Sequence, residues 1–394
     1  MQKIKIFRLG PIKDCEVDIS NFMILTGPQA SGKSTLAKSI FFFKNVKNIL
    51  FEQIKRKHLM NGVSDIISMS CEKRMLREIR AIFLQTFGTT WCMDNEMKLQ
   101  YFYGDEKWIK ISLKPDPLRP NYIWIDMSPD IKRFLNNIEN YKKKEEWGLR
   151  EQSLRNTIYS FFEDEMEIVY IPAGRSLITL FSDQLNYVYG SMDDMQKRNL
   201  DYCTQNYLER ILRLKTVFTS SYTQMIMNQI QLTDKRMERA FLEEMVVLMQ
   251  QILKGEYVNV RGEERLQVSG ERYVKINFAS SGQQEVVWIL NVLFYYLLNQ
   301  KKAYFIIEEP ESHLFPDAQK KIAQFISAAK KGGNKVLVTT HSPYILGEMN
   351  NLLYANRISK SVDRAKLKKI IKEYQWIEFE QFAAYYLEAG KASN

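Results

Sequence analysis

Cysteine is scarce in this chain of 394 residues. Cys15, Cys71, Cys92 and Cys203 stand far apart, without a C-x-x-C pair. The only histidines are His58, His313 and His341, so neither a disulfide framework nor a structural zinc site is suggested. Long apolar runs are also missing. The longest, residues 286–298, is interrupted by Asn291 and is too short to span a bilayer. Residues 1–7 alternate like a strand and lack the apolar core of a signal peptide. No internal repeat, low-complexity tract or sustained heptad seam is present, which excludes solenoids and long coiled coils. What remains is a soluble cytoplasmic globular protein of two or three domains, or one domain with large insertions. Acidic residues are outnumbered, 46 against 56 Lys+Arg, a net charge of +10. That excess suits a polyanionic partner such as nucleic acid, and equally a solvated basic surface.

Against these absences stands Gly27-Pro28-Gln29-Ala30-Ser31-Gly32-Lys33-Ser34-Thr35, which fits G-x-x-x-x-G-K-[ST] at every fixed position. Successive backbone N–H groups of Gly27, Gln29, Ala30, Ser31, Gly32 and Thr35 can turn onto one polyanion where glycine clears the approach. Lys33 supplies a point charge for the β- and γ-phosphates, and the Ser34 hydroxyl ligates Mg²⁺. The apolar run 22–26 before the loop and the helical pattern after it supply the strand–loop–helix context. This stretch binds ATP or GTP.

Residues 3–9, 15–19 and 22–26 read as strands, and a helix starts at about Ser34. Residues 50–90 read as helical with breaks at Gly62 and Gly88. A β-rich segment follows at 98–103, 108–113 and 122–127, around a loop at 114–120 whose three prolines bar a central strand. Residues 129–166 are helical and charged, with a solvated run at 142–146, and 167–171 is a buried strand. Long helices fill 176–254, where Lys197, Arg198, Arg210, Arg213, Lys215, Lys235, Arg236 and Arg239 recur. Strands at 257–260, 266–269 and 273–278 lead to helix 283–299, strand 303–307, helix 316–330 and strand 335–339. Pro316 and the Gly332-Gly333 pair punctuate the second of these helices. The alternation predicts a mostly parallel sheet with ligands at the C-terminal ends of its strands.

Strand 303–307 runs into Glu308 and Glu309. A nucleotide hydrolase needs one carboxylate in the Mg²⁺ shell and another to orient the attacking water, here Glu308 and Glu309 respectively. Ser280, Ser281 and Gly282 open a helix whose free N–H groups suit an anion. Locally they read as a plain N-cap with Glu285 as capping acid.

GPQASGKST, SSGQQE, FIIEEPESHLFP and TTHSPYIL, in that order, resemble the ABC-type ATPases of the SMC, RecF and OLD group. The resemblance covers about residues 1–45 and 256–350. It implies an α/β fold, an ABC-type P-loop ATPase head of mixed sheet and flanking helices, with residues 46–255 as a β-rich and helical insertion between Walker A and the signature motif. It implies Mg²⁺-dependent hydrolysis of ATP by a homodimer that sandwiches two nucleotides. Ser280 and Gly282, with Ser281 where the usual motif has glycine, would then contact the ATP of a second copy. His341 matches the switch histidine near the γ-phosphate, where the residues alone also allow a capping or core histidine. Residues 311–314 fall where the family has its dimer-contacting loop.

Two departures stand out. Glu308 replaces the usual Asp and is one methylene longer, and no glutamine matches the Q-loop. Pro172-Ala173-Gly174-Arg175 falls at about that point, which makes Arg175 a phosphate or interface residue, or a surface arginine. The insertion resembles the compact ATPases of bacterial anti-phage systems, Septu-like or OLD-like without a Toprim domain. Residues 351–394, with a helical aromatic pattern at 378–387, read as a helical extension that docks a partner or packs on the sheet. The expected function is an ATPase switch controlling a separate effector, a nuclease or toxin. The alternatives are a RecF-like DNA-repair ATPase, with the cations of 197–239 as a DNA track, and a scaffold that binds nucleotide without turnover.

Overall fold

Alternation in the first residues becomes an antiparallel pair, β1 (Lys3–Leu9) and β2 (Ile12–Asp18), with Ile4, Ile6 and Leu9 of β1 turned inward. The structure is a computed structural model that describes residues 1–59, 69–113, 118, 121–138, 147–180, 182–232 and 239–393. Expectations for Gly62, the run 142–146, Lys235, Arg236 and most of the loop 114–120 lie outside the described residues. The chain forms two compact units. One comprises Met1–Ile19, Gly27–Ile168 and Tyr385–Asn394; the other comprises Ser20–Thr26 and Val169–Ala384. These units and the segments read from the sequence are different divisions of the chain.

The first unit holds β1, β2, α1 (Lys33–Leu59), α2 (Cys71–Phe87), β4 (Lys98–Phe102), β5 (Trp108–Leu113), β6 (Ile123–Met127), α3 (Pro129–Ile138) and α4 (Trp147–Phe161). Its strands run in the order β6-β5-β4-β1-β2, antiparallel throughout, with β14 (Lys391–Ser393) parallel to β2. Helix α1 packs through an aromatic cluster: Phe43 stacks on Tyr101 at 5.3 Å, and Phe42 meets Phe83 edge-on at 5.8 Å. The same helix buries Lys44 and Lys47, which both pair with Asp164, at 3.0 and 2.8 Å. Lys47 also donates to the carbonyls of Asp164 and Met166.

The second unit contains a sheet β3-β12-β11-β7, from β3 (Phe22–Thr26), β7 (Glu167–Ile171), β11 (Ala303–Glu308) and β12 (Lys335–Thr339). The pairs β11–β12 and β12–β3 are parallel, as the βα alternation predicts, and their register levels Glu308 with Thr339 and Thr339 with Leu25. Helices α5 (Ser176–Leu180), α6 (Ser182–Ser191), α7 (Asp194–Arg198), α8 (Tyr202–Lys215), α9 (Tyr222–Leu232) and α10 (Arg239–Leu253) fill the expected helical stretch. A small antiparallel sheet follows, β8 (Glu256–Val260), β9 (Glu263–Ser269) and β10 (Arg272–Lys275). The expected last strand stops early, because residues 276–278 curl into a 3₁₀ turn that leads to α11 (Ser281–Leu298). Fifteen of the eighteen residues of α11 are buried, so this is the central helix of the core rather than a surface one. Its buried Asn291 accepts from the Tyr222 hydroxyl through Oδ1 at 2.7 Å. Helices α12 (Pro316–Ala329), α13 (Pro343–Ile358) and α14 (Arg364–Ile370) complete the unit. Among the described residues no helix is long and apolar enough to cross a membrane.

The helical extension expected at the C-terminal end is replaced, beyond α14, by a strand, β13 (Phe382–Glu388), hairpinned to β14. Phe382, Tyr385 and Tyr386 stand at spacings of three and four and imitate a helix face. The burial has period two instead, with Ala383, Tyr385 and Leu387 inward. Ala389 and Gly390, both at positive φ, form the two-residue turn, as a type I′ hairpin requires.

Asp164 is the test of how the first unit is held. Burial pushes its carboxyl up, but Lys44 and Lys47 together hold it below the ordinary value. Its contribution is therefore full above the usual carboxylate range and is lost as pH falls through its lowered folded pKa. Asp164→Asn leaves two buried ammonium groups unneutralised and is expected to cost about 3–5 kcal/mol in a denaturant titration. The loss should shrink in acid, where the wild-type carboxyl is protonated too.

Candidate functional site

The phosphate loop belongs to the first unit. Gly27 and Gly32 have φ of +141° and +104°, and Ala30 lies at +60°. A Cβ on Gly27 would sit 2.1 Å from the Leu387 carbonyl oxygen, and one on Gly32 would meet Ile12 at 2.7 Å. Glycine is needed here for conformation and for the close approach of neighbouring chain. Lys33 starts α1, is buried, and donates to the carbonyls of Gly27 and Pro28 at 2.8 and 2.7 Å. Ser34 and Thr35 occupy the first turn of that helix, whose N–H groups and dipole favour an anion.

In the second unit, chemistry gathers at the C-terminal edge of β11 and β12. Glu308 is buried; its Oε2 accepts from the Ala173 N–H at 3.3 Å, while its Oε1 is buried without a hydrogen bond among the described residues. The Tyr170 phenol is pushed well above its ordinary value by burial and by the Glu308 charge. Glu309 is turned out of the strand by a φ of +43°, so consecutive acids face different surroundings, one inside and one partly exposed. Its N–H donates to the Thr339 carbonyl at 2.9 Å. His341, 55% exposed, places Nδ1 3.7 Å from Glu309 Oε1. The expected switch histidine and the expected base are thus brought together.

Glu311 is a participant that the motif reading placed only in a contact loop. It is buried, and its Oε1 accepts from the Thr340 hydroxyl at 2.6 Å and the His341 N–H at 3.0 Å. It thereby fixes the turn that carries His341. The third acid of Glu308-Glu309-Pro310-Glu311 was the available signal.

Ser280 caps α11 and is exposed, with its side chain accepting from the Gln283 N–H in a reciprocal capping box. Gln283, rather than Glu285, is the capping partner. Ser281 is exposed and Gly282 buried, and a Cβ on Gly282 would meet the His313 carbonyl at 2.6 Å. The signature turn therefore lies directly on the loop after Glu311. Phe278 and Phe315, each 78% exposed, flank these two segments.

Arg175 is neither a surface residue nor free to meet a phosphate as placed. It is fully buried, and its guanidinium donates to the carbonyls of Pro172, Glu285, Glu308 and Glu309. Of the cations proposed as a DNA track, Lys215 is buried in an ion pair with Glu264 at 2.7 Å, and Arg210 donates to the Tyr296 hydroxyl at 2.5 Å. A cleft of about 610 Å³ at the opposite ends of the same strands is lined by Asn21, Lys330, Lys331, Lys335, Arg364 and Trp376, among others, and includes none of the motif residues.

Residues 1–346 match the family model described as the AAA ATPase domain. The chain belongs to that family. An AAA ATPase domain binds ATP, which settles the nucleotide left open by the loop alone. The chain is similar in structure to the SMC head bound to the C-winged helix domain of ScpA, with 13% identity over 88% of this chain and 90% of that one, TM-score 0.43. It is also similar to the SMC head domain from Thermotoga maritima, with 11% identity over 88% and 90%, TM-score 0.36. No curated protein matches it.

ATP binding by this AAA ATPase domain should be sensitive to the first loop glycine. Gly27→Ala forces an alanine to a glycine-like φ and against the Leu387 carbonyl. Affinity for a fluorescent ATP analogue is expected to fall by about tenfold or more, since 1.4 kcal/mol suffices for that.

Proposed function

We propose that this chain hydrolyses ATP with Mg²⁺ and dimerises on ATP through its signature turn, acting as a switch for a separate effector in anti-phage defence. The observation that carries the hydrolytic part is the contrast between two adjacent acids. Glu308 keeps a buried carboxylate oxygen outside any well-formed hydrogen bond, with the Tyr170 phenol beside the carboxylate, a fit for the hydrated shell of a divalent cation. Together with the Ser34 hydroxyl it is the donor that the motifs assign to Mg²⁺, which when bound neutralises phosphate charge. Glu309 faces outward beside His341, where a carboxylate can take a proton from water as that water attacks the γ-phosphorus. The bond to the bridging oxygen breaks, leaving ADP and phosphate. Lys33 and the loop N–H groups hold the triphosphate, and His341 is the group in reach of Glu309 that senses the γ-phosphate.

Dimerisation is supported by the outward aspect of the signature turn. Ser280 and Ser281 are exposed at a helix start, with Phe278 and Phe315 uncovered around them. Solvated aromatic rings beside an anion-binding turn suit burial against a second copy whose phosphates the serines would receive. The effector, a nuclease or toxin, and the defence setting rest on the motif resemblance to compact anti-phage ATPases. Of the cations of the DNA-repair alternative, Lys215 is lost to a buried ion pair, while Arg198, Arg213 and Arg239 are exposed.

Glu309→Gln is expected to retain ATP, accumulate as a dimer in size-exclusion light scattering, and lose about 10²–10⁴-fold in turnover. Ser280→Arg should bind ATP yet remain monomeric and inactive; normal hydrolysis by it would refute the shared site. Protection against phage should require a second protein encoded beside this one, and protection by this chain alone would overturn the effector reading.

A further inference from the structure

Glu309 holds a backbone conformation that L-residues avoid, at φ +43°, and such strain persists only where the surroundings impose it. The restraints are specific. Its N–H is tied to Thr339, and its carbonyl accepts from the Ser312 N–H at 3.2 Å and the Ser312 hydroxyl at 3.0 Å. The remaining restraint is Arg175, whose Nη1 donates to the Glu308 carbonyl at 2.6 Å and whose Nη2 donates to the Glu309 carbonyl at 3.0 Å. One guanidinium therefore spans both carbonyls around the strained residue.

Arg175 is itself held by α11. Its Nε donates to the Glu285 carbonyl at 2.9 Å, and its Nη2 lies 3.2 Å from Glu285 Oε2. The Glu285 carboxylate also accepts from the N–H groups of Arg175 and Ser176, at 3.1 and 3.0 Å. Glu285 lies about one turn into the helix that Ser280 caps.

We propose that Arg175 is a positioning residue that makes the conformation of Glu309 depend on the position of the signature helix. The inference rests on the roles of Glu309 and Ser280 proposed above and adds the physical tie between them. A guanidinium is a rigid planar fork, so it cannot follow a displaced Glu285 and still keep both carbonyls in geometry. A helix moves as one body, so a phosphate received at Ser280 shifts or steadies Glu285 and, through Arg175, the backbone of the base. A surface arginine or a direct phosphate ligand would keep donors toward solvent, and this side chain has no exposed surface.

Arg175→Lys in the full chain keeps the charge for Glu285 but replaces the fork with a point donor. Glu285→Gln keeps the acceptor oxygen and loses the charge, and it decides the matter if the first variant does not fold. For a folded variant we expect ATP affinity within about twofold of wild type, and kcat lower on the order of ten- to a hundredfold with KM little changed. Amide hydrogen exchange should accelerate at Glu309 and Ser312 and stay unchanged in β12. Adding ATPγS should slow exchange at Glu309 in wild type and not in the variant. Wild-type kcat together with wild-type exchange at Glu309 overturns the proposal, and so does a general acceleration that includes β12, which marks a merely structural residue. If the wild type shows no turnover, the hydrolytic reading fails separately, and the exchange pattern at Glu309 still decides this one.

Discussion

The parallel register of β3, β12 and β11 is the constraint on which the second unit's chemistry depends. It sets Leu25, Thr339 and Glu308 level, so that the chain segments carrying Glu309, Glu311 and His341 leave from one edge. Cross-strand bonds continue past the last paired residues, with the Thr340 N–H on the Leu25 carbonyl and the Glu309 N–H on the Thr339 carbonyl. A slip of one residue would turn Glu308 to the other face and break both. The large apolar cluster around α11 and the buried strands fixes that register, because their side chains interlock in one arrangement.

Buried charge is handled in two ways. Asp164 with Lys44 and Lys47, Glu264 with Lys215, and Glu285 with Arg175 are paired and hydrogen-bonded groups far from water. Such pairs add little net stability over an apolar filling, but each penalises any arrangement that separates its members. Glu308 and Glu311 are handled otherwise. Each has one bonded carboxylate oxygen and one buried oxygen without a hydrogen bond. Incomplete satisfaction of a buried carboxylate is costly, and these two acids stand at the edge where the motif residues gather.

The sequence made most strands, most helices and the parallel part of the sheet legible, because apolar runs bounded by Gly, Pro and Ser report local structure directly. The strand–loop–helix setting of the phosphate loop was legible from its fixed spacing, and the shared edge of Glu308, Glu309 and His341 from the βα alternation. Arg175, Glu285 and Glu311 were not. Their partners stand far away in sequence, and a buried arginine and a surface one look alike in a single chain. The strand at 382–388 was misread because Phe382, Tyr385 and Tyr386 mimic helical spacing, while its pairing depends on distant segments. The capping partner of Ser280 was misassigned between Gln283 and Glu285 for a related reason: Glu285 is engaged by Arg175.

The β13–β14 hairpin has a consequence for the order in which the first unit is completed. Gly390 receives the N–H groups of Lys13 and Asp14 on its carbonyl, and Leu387 lies against Gly27. Contacts that complete the first unit thus join segments that are far apart in the chain. Units generally fold as their residues emerge from the ribosome, N-terminal parts first. Here the phosphate loop emerges well before the residues of β13 that lie against it. Until the hairpin residues emerge, β2 lacks β14 on that edge, which leaves the nascent chain dependent on whatever shields such edges.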